Sequence, residues 1–587
     1  MKRGWIKKTA AVGVSAVCVM GLLAGCGSSD DSVAETSNVS NEGTEQVAED
    51  TAGEINYYGF DDPVTLNVGV AYNSDFSWAP GESVEDNAWW NLYKENGFDL
   101  QLMYSVDGTQ QETKRTTAVA SGTYPDIMYV SGADMVKYAQ TGVIADITEA
   151  FDTYATDELK EYVAAGGEGA LDSAKVDGQL YGIPQVYDNH SAAMMMFIRQ
   201  DWLDNLGLEI PTTMEKLKEV ALAFTEQDPD GNGENDTYGL ALNGKDGFTY
   251  WSGLQAFFEG YGAAPGHWNG QFTFIEKDGE VVWGGSLAEE MKAGLTDLQE
   301  MYQNGSLAKN FGTMDYNQLL EDIGSGKCGI WFAPDWGAMV PAIDAMKTDI
   351  NAHIVTAKVP DGMGEGSSKP YVPTIPNGYY VVSSKCENPE ALVKMCNLSV
   401  QKLCYPADAE EYAMYNGKTG EYSGWKTAIT QLTSPTESIE CVQDIFDAVT
   451  SGELDGLSDA RRVIADTIVA YNTAVEDGTL ADKLAVDDAD VESGISNYTV
   501  YGDPLGGGLT MLALIEDGNF NYSAYNYVPT DAMSSAYSTL DSMALETLVK
   551  ITTGDSVDSY DDFLASWEAL GGADATAEAQ AWYDANH

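Results

Sequence analysis

The chain of 587 residues is poor in basic side chains. It contains 30 lysines and arginines against 92 aspartates and glutamates, which gives a formal net charge of −62. Proteins that bind nucleic acids or anionic membrane surfaces neutralise phosphate groups with Lys and Arg, so this balance argues strongly against both partners. It also disfavours polyanionic ligands, because like charges repel.

Histidine and cysteine are scarce as well. The four histidines are scattered, and neither a His-x-x-x-His nor a Gly-x-Ser-x-Gly motif occurs, so the usual zinc and serine-nucleophile chemistries have few candidates. Seven cysteines without a Cys-x-x-Cys pair do not indicate a disulfide scaffold, and we expect most of them to be buried as small hydrophobic side chains. Among 92 acidic residues chance carboxylate pairs are inevitable, so we assign no catalytic residue.

The apolar run near the N-terminus is short. It covers residues 9–24, whereas a membrane-spanning helix needs about 20 residues. Four basic residues precede it, a pattern typical of a secretory signal. The run ends in Leu22-Leu23-Ala24-Gly25-Cys26, which resembles the bacterial lipobox and implies cleavage before Cys26 and lipid attachment to its side chain. The alternative is a plain secretory signal with a chance cysteine.

We therefore predict a lipoprotein signal peptide at 1–25 and a lipid anchor on the outer face of the cytoplasmic membrane. Residues 26–54 are rich in Ser, Thr, Asn, Glu and Ala and contain no Lys or Arg. Such a segment buries too little apolar surface to offset the entropy of ordering, so we predict a disordered acidic tether.

From residue 55 the pattern is typical of a folded protein of the α/β class. Residues 64–70, 99–104 and 125–130 have strand patterns, and helical stretches lie between them. This alternation predicts a largely parallel sheet with helices on both faces. Ligands of such sheets bind at the carboxyl ends of strands, where we expect the loop 72–78.

Helices are predicted further along the chain. Thr212-Thr213-Met214-Glu215 reads as a capping box, and the helix after it places a set of apolar residues on one face. That set is Met214, Leu217, Val220, Ala221 and Phe224. Other helices are expected at 286–303, 389–402, 436–450, 458–476 and 530–550.

Several segments resemble motifs of one family. They are Ser121-Gly122-Thr123-Tyr124-Pro125-Asp126-Ile127, the turn 177–184, the segment 197–213 and Asn388-Pro389-Glu390-Ala391. In this order they resemble bacterial extracellular solute-binding proteins, and in particular the long lipoprotein branch of the maltose-binding-like family, which serves carbohydrate importers of the ABC type. The resemblance covers nearly all of the chain after the tether.

The resemblance implies two α/β lobes, each built from discontinuous segments and joined by a hinge, that close over a ligand in the cleft between them. It assigns 55–186 and 361–500 to the first lobe, and 187–360 and 501–587, with the C-terminal helices, to the second. It also implies ABC permease subunits in the membrane as partners. We expect a monomer.

The segment 228–236 resembles the first part of an EF-hand calcium loop. Oxygen ligands stand at loop positions 1, 3, 5 and 9, a glycine stands at position 6, and position 7 would offer its backbone carbonyl. The predicted ligands of a structural Ca²⁺ are Asp228, Asp230, Asn232, Glu234 and Asp236. The loop departs from an EF-hand at position 12, which is Gly239, so we predict a calcium loop between a helix and a strand. The alternative is an acidic turn without metal.

Aromatic side chains are the second signal, because the C–H faces of a sugar stack on Trp and Tyr while its hydroxyls bond to polar groups. The resemblance places Trp336 on the sugar, at the turn after a buried strand, whereas Trp331 inside that strand is expected in the core. Other predicted ligand-binding residues lie at strand ends, at lobe crossings or along the outer cleft. These are Asn73, Trp78, Tyr187, Asp188, Trp251, Asp335 and Tyr380.

Three hypotheses follow. The first is a lipid-anchored subunit of an ABC importer that captures a carbohydrate, which we expect to be an oligosaccharide without strong charge, and has no catalytic activity. The second is a binding protein for peptides or another polar solute. The third is a surface enzyme that degrades glycans.

Overall fold

A computed structural model describes residues 55–72, 76–167, 169–248, 253–267, 272–374, 376, 378–417, 422–525 and 531–586. The predicted signal peptide, Cys26 and the tether lie outside the described residues, as do Asn73 and Trp251.

The strands, in chain order, are β1 Val64–Tyr72, β2 Phe98–Asp107, β3 Ile127–Val130, β4 Lys175–Val176, β5 Gln179–Leu180, β6 Ile183–Gln185, β7 Met195–Arg199, β8 Tyr238–Leu240, β9 Phe274–Lys277, β10 Glu280–Trp283, β11 Cys328–Ala333, β12 Ile354–Ala357, β13 Tyr371–Val372, β14 Gly378–Val382 and β15 Asn521–Tyr522.

The α-helices are α1 Ala88–Glu95, α2 Gln111–Ser121, α3 Gly132–Gln140, α4 Thr148–Tyr154, α5 Asp157–Ala164, α6 Gln200–Leu206, α7 Met214–Glu226, α8 Gln255–Glu259, α9 Ala288–Asn304, α10 Tyr316–Gly324, α11 Pro341–Thr348, α12 Glu390–Leu403, α13 Ala409–Tyr415, α14 Glu437–Ser451, α15 Asp459–Glu476, α16 Leu480–Leu484, α17 Ala489–Asn497, α18 Gly507–Asp517, α19 Asp531–Thr553, α20 Ser559–Trp567 and α21 Ala573–Asn586.

Two main sheets organise the chain. The first has the strand order β2-β1-β3-β14-β6; β1 runs parallel to β2 and β3, whereas β14 is antiparallel to β3 and β6. The second has the order β12-β7-β11-β8, in which β11 is parallel to β8 and β7 is antiparallel to both of its neighbours. The predicted α/β class is confirmed, but each sheet contains an antiparallel strand that the periodicity did not indicate.

Each sheet has its own hydrophobic core, so the described chain consists of two lobes. The core of the first lobe draws on residues 66–186 and 379–432, and the core of the second draws on residues 193–372 and 439–579. The chain therefore changes core three times, and both lobes are discontinuous. This two-lobed arrangement is the one that the family resemblance implied.

The positions of the three changes refine the predicted segments. The first lies between Val186 and Ala193, next to the predicted boundary at 186. The second lies between Val372 and Tyr379, and the third between Leu432 and Ile439, rather than at 361 and 501. The third differs most because helices α14 to α18 contribute apolar side chains to the second core. Those side chains include Ile439, Tyr471, Val491, Ile495 and Met511.

Helix α7 shows how local sequence builds the second lobe. Its N-cap is Thr213, one residue later than the capping-box prediction, and the Thr213 side chain accepts a hydrogen bond from the backbone N–H of Lys216. The five apolar residues predicted to share one face are all buried. The helix ends at Glu226, the acidic segment 228–236 follows, and β8 begins at Tyr238.

The cysteines behave as small hydrophobic side chains. Each of the five within the described residues is free, and three of them, Cys328, Cys396 and Cys441, are buried. No helix in the described part of the chain combines the length and the apolar character that a bilayer span requires.

Candidate ligand-binding cleft

The first wall of the candidate site is the edge of the first sheet. Here the carboxyl ends of β1 and β6 meet the start of β14 and border a cavity of about 160 Å³. Tyr129 Oη donates a hydrogen bond to Gln185 Oε1 (2.8 Å), and Gln185 Nε2 donates to the carbonyl of Gln431 (2.7 Å). Tyr380, a predicted ligand residue, lines this cavity but is buried, and its hydroxyl accepts from the backbone N–H of Gln431 (2.8 Å). The cavity is a small polar recess with an internal hydrogen-bond network.

An aromatic cluster stands next to this recess. Tyr72, at the end of β1, stacks on Phe76 with ring centroids 4.8 Å apart, and Trp78 packs edge-on against both rings. Tyr72 Oη is buried without a hydrogen-bond partner, and burial raises the pKa of this phenol. The predicted Trp78 therefore packs against a stacked pair of aromatic rings beyond the end of β1, and it is half-buried rather than in a core.

The second wall is the end of β11. The strand runs fully buried from Cys328 to Ala333, and the turn after it carries Asp335 and Trp336. Asp335 is 4% exposed, and its Oδ1 has no hydrogen-bond partner. Burial raises the pKa of the Asp335 carboxyl to about 7, and the charge of Asp188 adds to the shift. Two predicted ligand residues that are far apart in sequence, Asp188 and Asp335, therefore lie within electrostatic reach of each other.

Trp336 and Trp331 have opposite surroundings. Trp331 is fully buried and stacks on Phe197 with ring centroids 5.5 Å apart and planes 13° apart. Trp336 is partly exposed and packs against the margin of the second core. The prediction that Trp331 is a core residue is confirmed; contact of Trp336 with a ligand stays a prediction.

The first lobe crossing forms the floor between the walls. Tyr187 is 36% exposed, and the backbone N–H of Asp188 donates to the carbonyl of Pro435 (2.7 Å), which ties the first crossing to the third. Asp188 Oδ1 lies 2.8 Å from His190 Nδ1, and His190 Nε2 lies 3.2 Å from Tyr522 Oη. The floor thus presents a carboxylate that is already held by an imidazole.

A larger cavity, of about 710 Å³, opens beside the third crossing. Its lining comes from the first lobe between Leu403 and Trp425, from the crossing, and from the start of α15 in the helical part of the second lobe. The sequence analysis did not predict it. Its aromatic residues are Tyr412, Tyr422 and Trp425, and its charged residues are Asp408, Glu437 and Arg461. Volumes of about 300–1,000 Å³ with a mixed lining are typical of small-ligand sites.

Arg199 and Arg115 are structural residues. Arg199 is 1% exposed, pairs with Asp201 and lies over the ring of Trp202. Arg115 is buried and donates to the carbonyl of Tyr129 (2.7 Å) and to Asp134. Both guanidinium groups are already engaged within the fold, so neither reaches out as a free cation.

The acidic loop 228–236 is tightly turned. Asp228, Gly231 and Gly233 all adopt positive φ. The amide nitrogen of Asn232 lies 2.8 Å from an Asp230 oxygen and 3.3 Å from an Asp236 oxygen, and the Gly233 N–H donates to Asp228.

Carboxylates of this loop lie close enough to influence one another. Partial burial raises the pKa of Asp230, and the carboxylates of Asp228 and Asp236 add to the shift. None of the loop carboxylates forms a salt bridge with a described residue. Across the described ranges, however, no group of three or more His, Cys, Asp or Glu side chains is already arranged around a metal position.

Two lobes with separate cores, linked three times by the chain and bordering ligand-sized cavities, define a two-lobed binding protein. The sequence model of the bacterial extracellular solute-binding protein family matches residues 77–402. The chain belongs to this family.

Curated relatives are similar over part of their length. Lipoprotein LipO of Bacillus subtilis is 29% identical over 246 residues, 41% of this chain and 45% of LipO. The polygalacturonan/rhamnogalacturonan-binding protein YtcQ of Bacillus subtilis is 28% identical over 47% of this chain and 53% of YtcQ. The fructooligosaccharide ABC transporter substrate-binding protein FusA of Streptococcus pneumoniae is 28% identical over 42% of this chain and 45% of FusA. The chain thus spans about half the length of these relatives.

Solved structures match almost the whole fold. An extracellular solute-binding protein from Bifidobacterium longum subsp. infantis covers 89% of this chain and 98% of its own, with a TM-score of 0.59 and 17% identity. The match to the structure of FusA in complex with kestose covers 89% of this chain and 99% of the FusA chain, with a TM-score of 0.55 and 17% identity. At this identity the likeness establishes the two-lobed fold.

Proposed function

We propose that this protein is the solute-binding subunit of an ABC importer and that it captures an oligosaccharide between its lobes without catalysing a reaction. The observation that carries the proposal is the 710 Å³ cavity, which the first lobe, the third crossing and the start of α15 line with three aromatic rings and several hydroxyl and amide groups. None of the ligand-binding residues that were predicted from the sequence and that the structure describes lines this cavity. Aromatic faces and hydrogen-bonding groups together match the two kinds of surface that a sugar presents.

Relatives support the ligand class. Both FusA and YtcQ are named for glycans that they bind, one a fructooligosaccharide and the other polygalacturonan. Since these names include a neutral and an acidic glycan, the charge of the ligand depends on the cleft of each protein. In this chain the charge of −62 and the engaged arginines favour a neutral ligand.

The test is a binding screen on the full chain with neutral oligosaccharides, acidic oligosaccharides and peptides. We expect saturable binding and a raised melting temperature with at least one neutral oligosaccharide, and no new reducing ends after long incubation. Tight binding confined to peptides would instead support the hypothesis of a peptide-binding protein. Hydrolysis of the bound glycan would show an enzyme.

We propose a membrane anchor at Cys26 on the evidence of the lipobox-like segment that ends there. The acidic tether 26–54 would then give the lobes reach to permease subunits, and a monomer would suffice. Mass spectrometry of the protein from bacterial membranes should find a lipid on Cys26, and Cys26→Ser should release the protein into the medium. Membrane-bound protein whose Cys26 carries no lipid would contradict the anchor.

We also propose that the loop 228–236 holds a structural Ca²⁺. The side chains of Asp228, Asp230, Asn232 and Asp236 and the carbonyl of Glu234 would supply the oxygen ligands that calcium prefers. Support comes from the glycine-rich turn between α7 and β8 and from carboxylates that crowd one another without a compensating cation among the described residues. Bound calcium would neutralise this repulsion and fix the loop.

A further inference from the structure

Arg461 stands in the wall between two cavities. It lines the 710 Å³ cavity and also a neighbouring cavity of about 590 Å³. Among the described residues that line the larger cavity, Arg461 is the single basic one, and Asp408 and Glu437 are the acidic ones. The charge that the larger cavity offers a ligand therefore depends on what Arg461 already binds.

Glu437 occupies one edge of the Arg461 guanidinium. Arg461 Nε donates to Glu437 Oε1 and Nη2 donates to Glu437 Oε2, each at 2.7 Å, which is a side-on bidentate pair. The remaining nitrogen, Nη1, donates to Asp444. Glu437 lines the larger cavity, whereas Asp444 lines the smaller one.

A carboxylate on a sugar would need the same edge. Planar bidentate pairing with an arginine is a strong and geometrically specific way for a protein to recognise a carboxylate. With Glu437 in place, an entering uronate would instead meet two carboxylates, Glu437 and Asp408, with no unpaired cation among the described lining residues. Juxtaposed like charges exclude a competing ligand effectively.

We infer that Glu437 is a specificity-determining residue that makes this cavity accept uncharged glycans and reject uronates. It acts as a built-in carboxylate, filling the guanidinium edge through which Arg461 would otherwise bind an acidic sugar. The inference rests on the proposed capture of carbohydrate in this cavity and deepens it by naming the ligand class and the residue that sets it.

The test is a change of specificity. Trigalacturonate and neutral galactotriose are titrated into the full chain and into Glu437→Gln, which keeps the side-chain shape but loosens its hold on the Nε–Nη2 edge, because a neutral amide oxygen is a weaker acceptor than a carboxylate. We expect the variant to bind trigalacturonate about tenfold more tightly or better, the usual effect of a hydrogen-bonded charge pair. The gain should shrink as salt is added, because it is electrostatic. Glu437→Ala frees the same edge and serves if the glutamine variant does not fold.

Asp444→Asn is the matched control. It removes one negative charge from the same arginine, but on the side of the smaller cavity, so we expect less than about a threefold change in trigalacturonate affinity. In Glu437→Gln/Arg461→Gln the gain should vanish. The inference is overturned if the unmodified protein binds trigalacturonate as tightly as Glu437→Gln does, if Asp444→Asn gives the same gain, or if the gain survives the loss of Arg461.

This result is separable from the proposed function. A protein that binds no neutral oligosaccharide in the screen, while Glu437→Gln gains trigalacturonate through Arg461, would refute the proposed ligand and leave the role of Glu437 standing. If the protein binds a neutral oligosaccharide while Glu437→Gln gains no affinity for trigalacturonate, the proposed function stands and the role of Glu437 is refuted.

Discussion

Strand β11 and the turn that follows it are adjacent in sequence but have different physical roles. Within the strand, Trp331 is enclosed by the second core and stacks on Phe197. In the turn, Asp335 is buried with an unpartnered oxygen, and Trp336 is partly exposed. The comparison shows that apolar packing ends abruptly at the carboxyl end of this strand. A binding fold can place polar and aromatic groups there, although burying a polar group lowers the stability of the folded state.

The largest effect that separates the two regions should come from Trp331→Ala. Loss of a fully buried tryptophan is expected to lower the free energy of unfolding by about 3–5 kcal/mol. Denaturant unfolding of the variant measures this, and ligand affinity at low temperature should change only as far as the folded fraction changes. A loss below about 1 kcal/mol would remove the distinction between strand and turn.

The second effect concerns the pH dependence of Asp335. Its folded pKa of about 7 lies above the ordinary range of an unfolded aspartate, so the native state holds the proton more tightly. Stability from this group is therefore full below about pH 4 and is lost as the pH rises to about 7, by up to about 4 kcal/mol.

Asp335→Asn should remove that slope, since an amide does not titrate. The measurement is the difference between the pH–stability profiles of the protein and the variant between pH 4 and 8, which cancels the other carboxylates. Asp188, His190 and Tyr501 face the same region and are unchanged in the variant. Parallel profiles would show that Asp335 is solvated and not part of a buried turn.

The third effect should come from Trp336→Ala. Trp336 does not line the 710 Å³ cavity, so this variant tests whether the ligand also reaches the end of β11. If a sugar stacks on the Trp336 ring, affinity should fall by about 1–3 kcal/mol, or roughly 5- to 150-fold. Stability should fall much less than in Trp331→Ala, because the ring already faces water in part. Isothermal titration with the oligosaccharide found in the screen checks the first point and thermal unfolding checks the second. If the variant is strongly destabilised but keeps its affinity for the ligand, Trp336 is a core residue and not a ligand contact.

The smallest effect concerns the calcium loop, which lies apart from both regions and tests whether a charged loop needs a cation. At free calcium roughly tenfold above its Kd, binding should add about 1.4 kcal/mol to stability. EDTA should therefore lower the melting temperature of the protein but not that of Asp230→Ala. Lys216→Ala, which removes one partner of an exposed ion pair on α7, is the control that should keep the EDTA response. An unaltered melting temperature in EDTA, with equal stability of Asp230→Ala, would contradict the metal site.

Local pattern predicted much of the fold. Helices expected at 286–303, 389–402, 436–450, 458–476 and 530–550 correspond to α9, α12, α14, α15 and α19. The buried face of α7 and the core position of Trp331 were also predictable, because hydrophobic periodicity and strand-like runs are properties of neighbouring residues. The strands β1, β2 and β3 and their parallel pairing followed from the same periodicity.

The amino-acid sequence by itself determined the family, the α/β class, the acidic surface and the position of the oxygen-rich loop, because these depend on composition, order and spacing. Tertiary structure alone decided where the third crossing falls, which cavity both lobes line, and which charges meet there. Arg461 on α15 is bound by Glu437 and Asp444, which lie on α14. The pKa of Asp335, which follows β11, is raised in part by Asp188, which precedes β7. Such pairs form only when separate segments pack together. Distance and burial, which the local sequence does not show, set how strongly two charges interact.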